Sequence, residues 1–159
     1  GFVLVVLFMI VKYKIFGLIA NVTLITNLLL LIGILTLFEA TLTLPGIAGI
    51  ILTVGMAVDA NVLIYERIKE EIKSESNKIL AFDSGYVKSK TTILDANITT
   101  LIAALILFFM ASGPVRGFSI TLAIGIFTSV FTAFTFTRFL ISIYARKLKP
   151  SNVGLSNEV

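Results

Sequence analysis

From Gly17 to Phe38 the chain reads GLIANVTLITNLLLLIGILTLF, 22 residues without an Asp, Glu, Lys or Arg. A bilayer core about 30 Å thick needs about 20 largely apolar helical residues per crossing, so this stretch can span one. Largely apolar stretches, each with a single charged residue, recur at 46–65, 95–112 and 118–144. With 57% hydrophobic and 14% charged residues among 159, the chain cannot bury all of these in a water-soluble core. A mean hydropathy of +1.03 agrees. The sequence therefore reads as an all-α integral membrane protein.

A further apolar run, 1–11, is too short to cross, and no basic region or small-residue cleavage site marks it as a signal peptide. It reads as a truncated transmembrane helix, and the sequence as a fragment. The organisation expected is then a truncated crossing at 1–11, crossings at 17–38, 46–65, 95–112 and 118–144, a cytoplasmic amphipathic connector at 66–94 and a cytoplasmic tail at 145–159. In the connector, ERIKEEIK places Glu66 with Lys69 and Glu70 at helical spacing, while Ile68, Ile72 and Ile79 mark an apolar stripe. If the Lys12/Lys14 link is cytoplasmic, alternating crossings put all 13 Lys and Arg residues except Arg116 on that side. That asymmetry sets the orientation by the positive-inside rule, with the C-terminus cytoplasmic. The tail carries Arg146, Lys147 and Lys149, which would also attract anionic headgroups.

Asp59 is the residue that calls for an explanation. It lies about 10 Å inside the charged end of its helix, counting back from Glu66 at 1.5 Å per residue. A carboxylate near the middle of a crossing costs about 2.5 to 3.5 kcal/mol on insertion scales, so it must face protein or a wet cavity, or be protonated. Burial favours its neutral form and a nearby cation its charged form, which suits proton exchange. The competing role is a hydrogen-bonding glue between helices. Ala48, Leu52, Gly55 and Asp59 share one helix face, so the small Gly55 would let a neighbouring helix approach the carboxylate closely. Asn61 lies about 200° around the axis from Asp59 and addresses a different neighbour, more as an interhelical hydrogen-bonding residue than as a proton carrier.

Other polar residues in the crossings divide between packing and support of an ion path. Gly117, Thr121, Gly125, Thr128, Thr132 and Thr135 follow one another at spacings of three or four. Tight packing is the first reading of that strip, and Gly125, Thr128 and Thr132 are its helix-packing positions. Ala96, Thr99, Thr100, Ala103 and Ala104 give small faces in the crossing before it. Asp95 opens that crossing, where capping of amide hydrogens competes with ion handling. Arg138 can snorkel to the interface or pair with Asp59. With no histidine and no cysteine, no Walker loop and no dinucleotide fingerprint, the sequence offers no catalytic constellation, metal site or cofactor motif, and it reads as a non-enzyme.

GMAVDANVLIYERIKEE from Gly55 to Glu71, preceded by ATLTLPGIAGI from Ala40 to Ile50, resembles the fourth-helix signature of the SecD/SecF family of protein-export membrane proteins. ILDANITTLIAALILFFMASGPVRGFSITLAIGIFTS from Ile93 to Ser129 resembles that family's fifth and sixth helices on the SecD side. The resemblance runs from Gly1 to about Leu148. It implies a helical bundle forming half of a resistance-nodulation-division transmembrane fold, here helices 2 to 6 of a six-helix unit, paired with SecF about a pseudo-twofold axis. It also implies work with the SecYEG channel, the SecA motor and YajC, driven by H+, or Na+ in some members, to help export polypeptides across the bacterial inner membrane. The ion-coupling role transfers to Asp59. Asp95 and Asn97 match the DAN of the fifth-helix motif, and Asn61, Asn97, Thr99, Thr100, Asp95 and Arg138 are the supporting polar candidates. The basic and second acidic partners would come from SecF. Tyr65 stands where the family often has Phe. The family has a first transmembrane helix and a large periplasmic domain ahead of the point where this sequence starts. Two other functions fit the residues: a half-transporter of the same superfamily exporting lipid or drug, and a passive membrane scaffold.

Overall fold

In the computed structural model, which describes residues 1–74 and 78–147, every regular element is helical. Helix α1 covers Phe2–Leu37, α2 Leu44–Ser74, α3 Lys78–Met110, α4 Pro114–Phe131 and α5 Thr137–Lys147. Between the last two, Thr132–Phe136 winds as a π turn with helical dihedrals on both sides, so α4 and α5 form one continuous rod. Among the described residues, four helices are long and apolar enough to cross a membrane. Their outer faces expose Leu29, Ile51, Phe109 and Phe127, a surface suited to lipid rather than to water. The chain is a multi-pass membrane protein.

α1 is two arms, not one rod. Lys14 takes φ 49° and ψ −115°, and the chain turns back on itself there. Asn21 Nδ2 donates to the Val6 carbonyl at 3.3 Å, a separation that a straight helix would hold near 22 Å. A side chain at Gly17 would put its Cβ 2.5 Å from the Met9 carbonyl carbon, so only glycine lets the arms meet. The arms, 2–13 and 15–37, carry the apolar segments expected at 1–11 and 17–38. A left-handed lysine without a neighbouring proline makes the turn, where the sequence suggested only a basic link.

The stretch expected to be a separate connector, 66–94, is instead shared between two long helices. α2 continues to Ser74 and α3 is already helical at Lys78, so the polar residues form the two legs of a hairpin extending the crossings. The legs touch because Gly85 brings the backbones together: a Cβ there would lie 2.8 Å from Ile68 Cα. Ile68 and Ile93 are buried in the hairpin, while Ile79 lies outside the described side chains. One consequence is that Asp95 lies inside α3 instead of capping it; no free amide hydrogens face it there, and its carbonyl accepts the Thr99 hydroxyl at 2.9 Å. Of the expected tail, 145–147 complete α5 and the rest lies outside the described residues.

Both ends of the bundle are tied. At one end the Tyr13 hydroxyl donates to Glu66 Oε1 at 2.7 Å, and the Lys69 ammonium sits 4.8 Å from the Tyr13 ring centre. At the other, Thr43 caps α2 by accepting the Gly46 N–H at 3.1 Å and donates to the Pro114 carbonyl, also at 3.1 Å. Lys12, Lys14, Lys69, Lys88, Lys90 and Arg138 thus gather at the first end, and Arg116, stacked 4.3 Å over Phe108, at the opposite one.

α2 and α4 form the closest seam. Gly125 meets Thr53, whose Cβ would lie 2.9 Å from a Cβ built at position 125, and Gly49 faces Thr121 at 3.3 Å. Gly125→Ala is therefore expected to destabilise the bundle by about 1 to 3 kcal/mol through overpacking. Adding Thr53→Ala, which removes both atoms beyond Cβ, should return part of that loss, as read by thermal unfolding in detergent.

Candidate functional site

The α2 helix carries two polar residues of opposite outlook. Asp59 is exposed on the surface of this chain, at a half-open cavity of about 220 Å³ between α2 and α3. Met56, Ala60 and Leu63 line it from α2, and Thr92, Ala96, Asn97 and Thr100 from α3. Asn61, about 200° around the axis, points the other way and is 1% exposed. Its Oδ1 accepts the Thr137 hydroxyl at 3.0 Å, and that hydroxyl lies 3.3 Å from Thr23 Oγ1.

The cavity wall contains one unfulfilled acceptor. Asn97 is buried, and its Nδ2 donates to the Ile93 carbonyl at 2.7 Å, which leaves Oδ1 without a partner among the described residues. A buried amide oxygen left unpaired is costly, so a water or a hydroxyl proton entering the cavity would find a ready acceptor. Thr100 also lines it, though its hydroxyl is directed back to the Ala96 carbonyl at 3.0 Å. Thr99 and Asp95 are exposed on α3 and do not line this cavity. Gly55 lies on the open face as well, with no other described element within 4 Å of a Cβ placed there.

A second cavity, also about 220 Å³, is lined by Leu63, Glu66, Arg67, Glu70, Ser89 and Thr92. It shares Leu63 and Thr92 with the first, so charged side chains at the polar end of the hairpin stand next to the Asp59 cavity. Arg138 pairs with Asp83 at 3.7 Å and lies 5.2 Å from the Tyr86 ring centre. Of the two roles open to it in the sequence, pairing with Asp59 is absent among the described ion pairs. Thr128 and Thr132 are buried and return their hydroxyls to carbonyls one turn back, at 3.0 Å and 2.9 Å.

The strip of threonines does not continue as its spacing suggests. Thr135 is exposed, and Thr137, which a regular α-helical period would turn away, is fully buried. The π turn makes the difference by adding a residue to one turn, and a buried hydroxyl two positions later is the result. No local feature of TAFTFT announces it.

The polar legs of the hairpin, beyond the crossing at 46–65, are held by Glu71, which accepts from Lys88 at 2.7 Å and from the Ser84 hydroxyl at 3.2 Å. The Lys88 ammonium above all, then Ser84, holds the Glu71 carboxyl below its ordinary 4.5, against the opposing effect of burial. A lowered carboxyl value means that its contribution to stability is complete above 4.5 and is lost as pH falls through the folded value. Protection of amides in the α2–α3 hairpin, taken against the intrinsic exchange rate at each pH, should therefore fall on acidification below that point, and Lys88→Met should remove most of this pH dependence.

Residues 1–147 match the family model described as "Protein export membrane protein SecD/SecF, C-terminal". The chain is 52% identical over 155 residues to the protein translocase subunit SecD of Rickettsia prowazekii, an alignment covering 98% of this chain and 30% of that one. It is 57% identical over 138 residues to SecD of Desulfurispirillum indicum, covering 87% of this chain and 27% of the relative. Among solved structures, SecDF from Thermus thermophilus, a translocon-associated membrane protein, superposes with a TM-score of 0.88 at 44% identity, over 92% of this chain and 21% of that one. The chain thus spans under a third of the length of these relatives.

Proposed function

The chain belongs to the SecD/SecF C-terminal family, and from that premise we propose that it works as the ion-coupling membrane part of a Sec translocase accessory subunit. On this reading it sits in the bacterial inner membrane with its C-terminus cytoplasmic, and it helps the channel and its motor move polypeptides outward. The end rich in Lys and Arg supports that orientation.

Asp59 carries the proposal. It is an acidic residue set within the apolar part of a crossing, and, unlike Asp95, it lines a cavity open to one side of the bundle. A SecF-like half docking on the open face would use the bare surface at Gly55 for close approach and would bring the basic partner that this chain does not direct at Asp59. The adjoining cavity at Glu66, Arg67 and Glu70 supplies polar access from the cytoplasmic end.

Coupling then follows from charge. Protonating Asp59 removes a negative charge from the seam, and the cation opposite it loses its attraction, so two packings can exchange. A proton falling through the membrane potential releases about 2.3 kcal/mol per 100 mV, enough to bias packings that differ by a few kcal/mol. We take H+ as the coupling ion. Sodium takes several oxygen ligands, and the described lining of this face offers few: the carboxylate, Asn97 Oδ1 and the hydroxyl oxygens of Thr92 and Thr100.

Asp59→Asn in the full-length complex should reduce export into or out of vesicles to the level seen without a gradient, while the complex still purifies intact. Gradient-stimulated export that survives the change would remove Asp59 from the mechanism. Replacing Na+ by choline should leave wild-type export unchanged.

A further inference from the structure

We propose that Thr137 is a positioning residue for Asp59, acting through Asn61 and the rotation of α2. Asn61 and Asp59 are two residues apart, about 200° around the helix, so whatever holds one sets where the other points. Asn61 is held. The Thr137 hydroxyl has one proton and three acceptors within reach: Asn61 Oδ1 at 3.0 Å, the Thr132 carbonyl at 3.2 Å and Thr23 Oγ1 at 3.3 Å. The nearest is Asn61, and the cluster joins α1, α2 and α5 where all three side chains are buried.

The rest of the α2 seam is of another kind. Thr53 in the notch at Gly125 and Thr121 against Gly49 are contacts between small groups, which fix how closely the helices approach but tolerate a small rotation. The hydrogen bond that Asn61 accepts from Thr137 is directional, and its loss frees that rotation.

Thr137 reaches this place only through the π turn. In a regular α-helix it would lie about 140° around the axis from Thr132, and Phe136 would be nearer the inward position. The wide turn stacks Thr137 over Thr132, with the Thr137 N–H bonded to the Thr132 carbonyl. On the outer side Tyr86 of α3 donates its hydroxyl to the Phe134 carbonyl, and the rings of Tyr86 and Phe134 meet edge to face at 6.3 Å. The turn is thus held by α3 on one side and by α1 and α2 on the other. α3 also forms the far wall of the Asp59 cavity, so a change in the wide turn reaches Asp59 from both of its walls.

The functional weight of this role rests on the reading of Asp59 as the coupling carboxyl, but its geometry can be tested separately. This stretch has no cysteine, so Asp59→Cys in the detergent-solubilised full-length complex gives a single reporter in it. Its labelling rate with a membrane-impermeant maleimide reads where position 59 points. Thr137→Val, which keeps the shape and removes the hydroxyl, should change that rate about two- to tenfold, the range that one lost hydrogen bond gives. Thr137→Ser should restore it. A rate unmoved by Thr137→Val overturns the proposal, as does a change that Thr137→Ser fails to restore, since that would mark general loosening. If export survives Asp59→Asn while labelling behaves as expected, the coupling reading fails and the positioning geometry stands. If Asp59→Asn abolishes export and Thr137→Val leaves the labelling unmoved, the positioning proposal alone fails.

Discussion

Apolar helices gain almost nothing by leaving lipid for one another, so what holds this bundle together is closeness of approach and the pairing of the few polar groups between helices. Both appear along α2. Gly46, Gly49 and Thr53 form a face that α4 meets with Thr121 and Gly125, where a methyl added at Gly125 would collide with Thr53 and one added at Gly46 or Gly49 would press on Thr121. Higher in the charged direction the same helix offers Asn61, and there closeness gives way to a hydrogen bond. Packing fixes the distance between the helices, and the amide fixes their rotation.

Long uncharged runs and the period of small residues made much of this legible in advance. The crossings at 17–38 and 46–65 can be read from length alone, because hydrocarbon admits little else, and Gly125, Thr128 and Thr132 can be read from their spacing. Three features escaped for definable reasons. The reversal at Lys14 uses a left-handed lysine, and its need shows only in the contact of Gly17 with Met9. The polar stretch at 66–94 was divided by charge content, whereas its helices are continuous because Gly85 and Ile68 pack and Glu71 pairs with Lys88. The third is the π turn: any reading that assumes 3.6 residues per turn selects Thr135 and discards Thr137.

For the candidate site, residue type and depth were enough to single out Asp59, and the 200° between it and Asn61 was enough to send them to different neighbours. What the sequence could not supply was which neighbour each would meet. That depends on the order of helices around α2, with α3 against the Asp59 face and α1 and α5 against the other. Asn97 illustrates the limit. Its position in ILDANITT gives its face on α3 but not that its donor would be spent on Ile93 while its acceptor stays unpaired beside the cavity.

The two polar faces of α2 differ in a way that bears on how such a unit can move. On the inner face several hydroxyls are spent within the chain, Thr23 on Ile19, Thr53 on Gly49, Thr132 on Thr128 and Thr137 on Asn61, while the buried Tyr65 hydroxyl has no partner among the described residues. The directional bond at Asn61 still opposes a second arrangement there. On the outer face the carboxylate of Asp59, the oxygen of Asn97 and the bare backbone at Gly55 have no such settlement among the described residues. A helix held on one side and unsettled on the other can change its partner on the open face while the directional bond to Asn61 keeps its rotation set. Were the charge on the unsettled side to change, the energy of that seam would change with it, and the Asn61 bond would hold α2 at its angle in the bundle while the docked partner shifts.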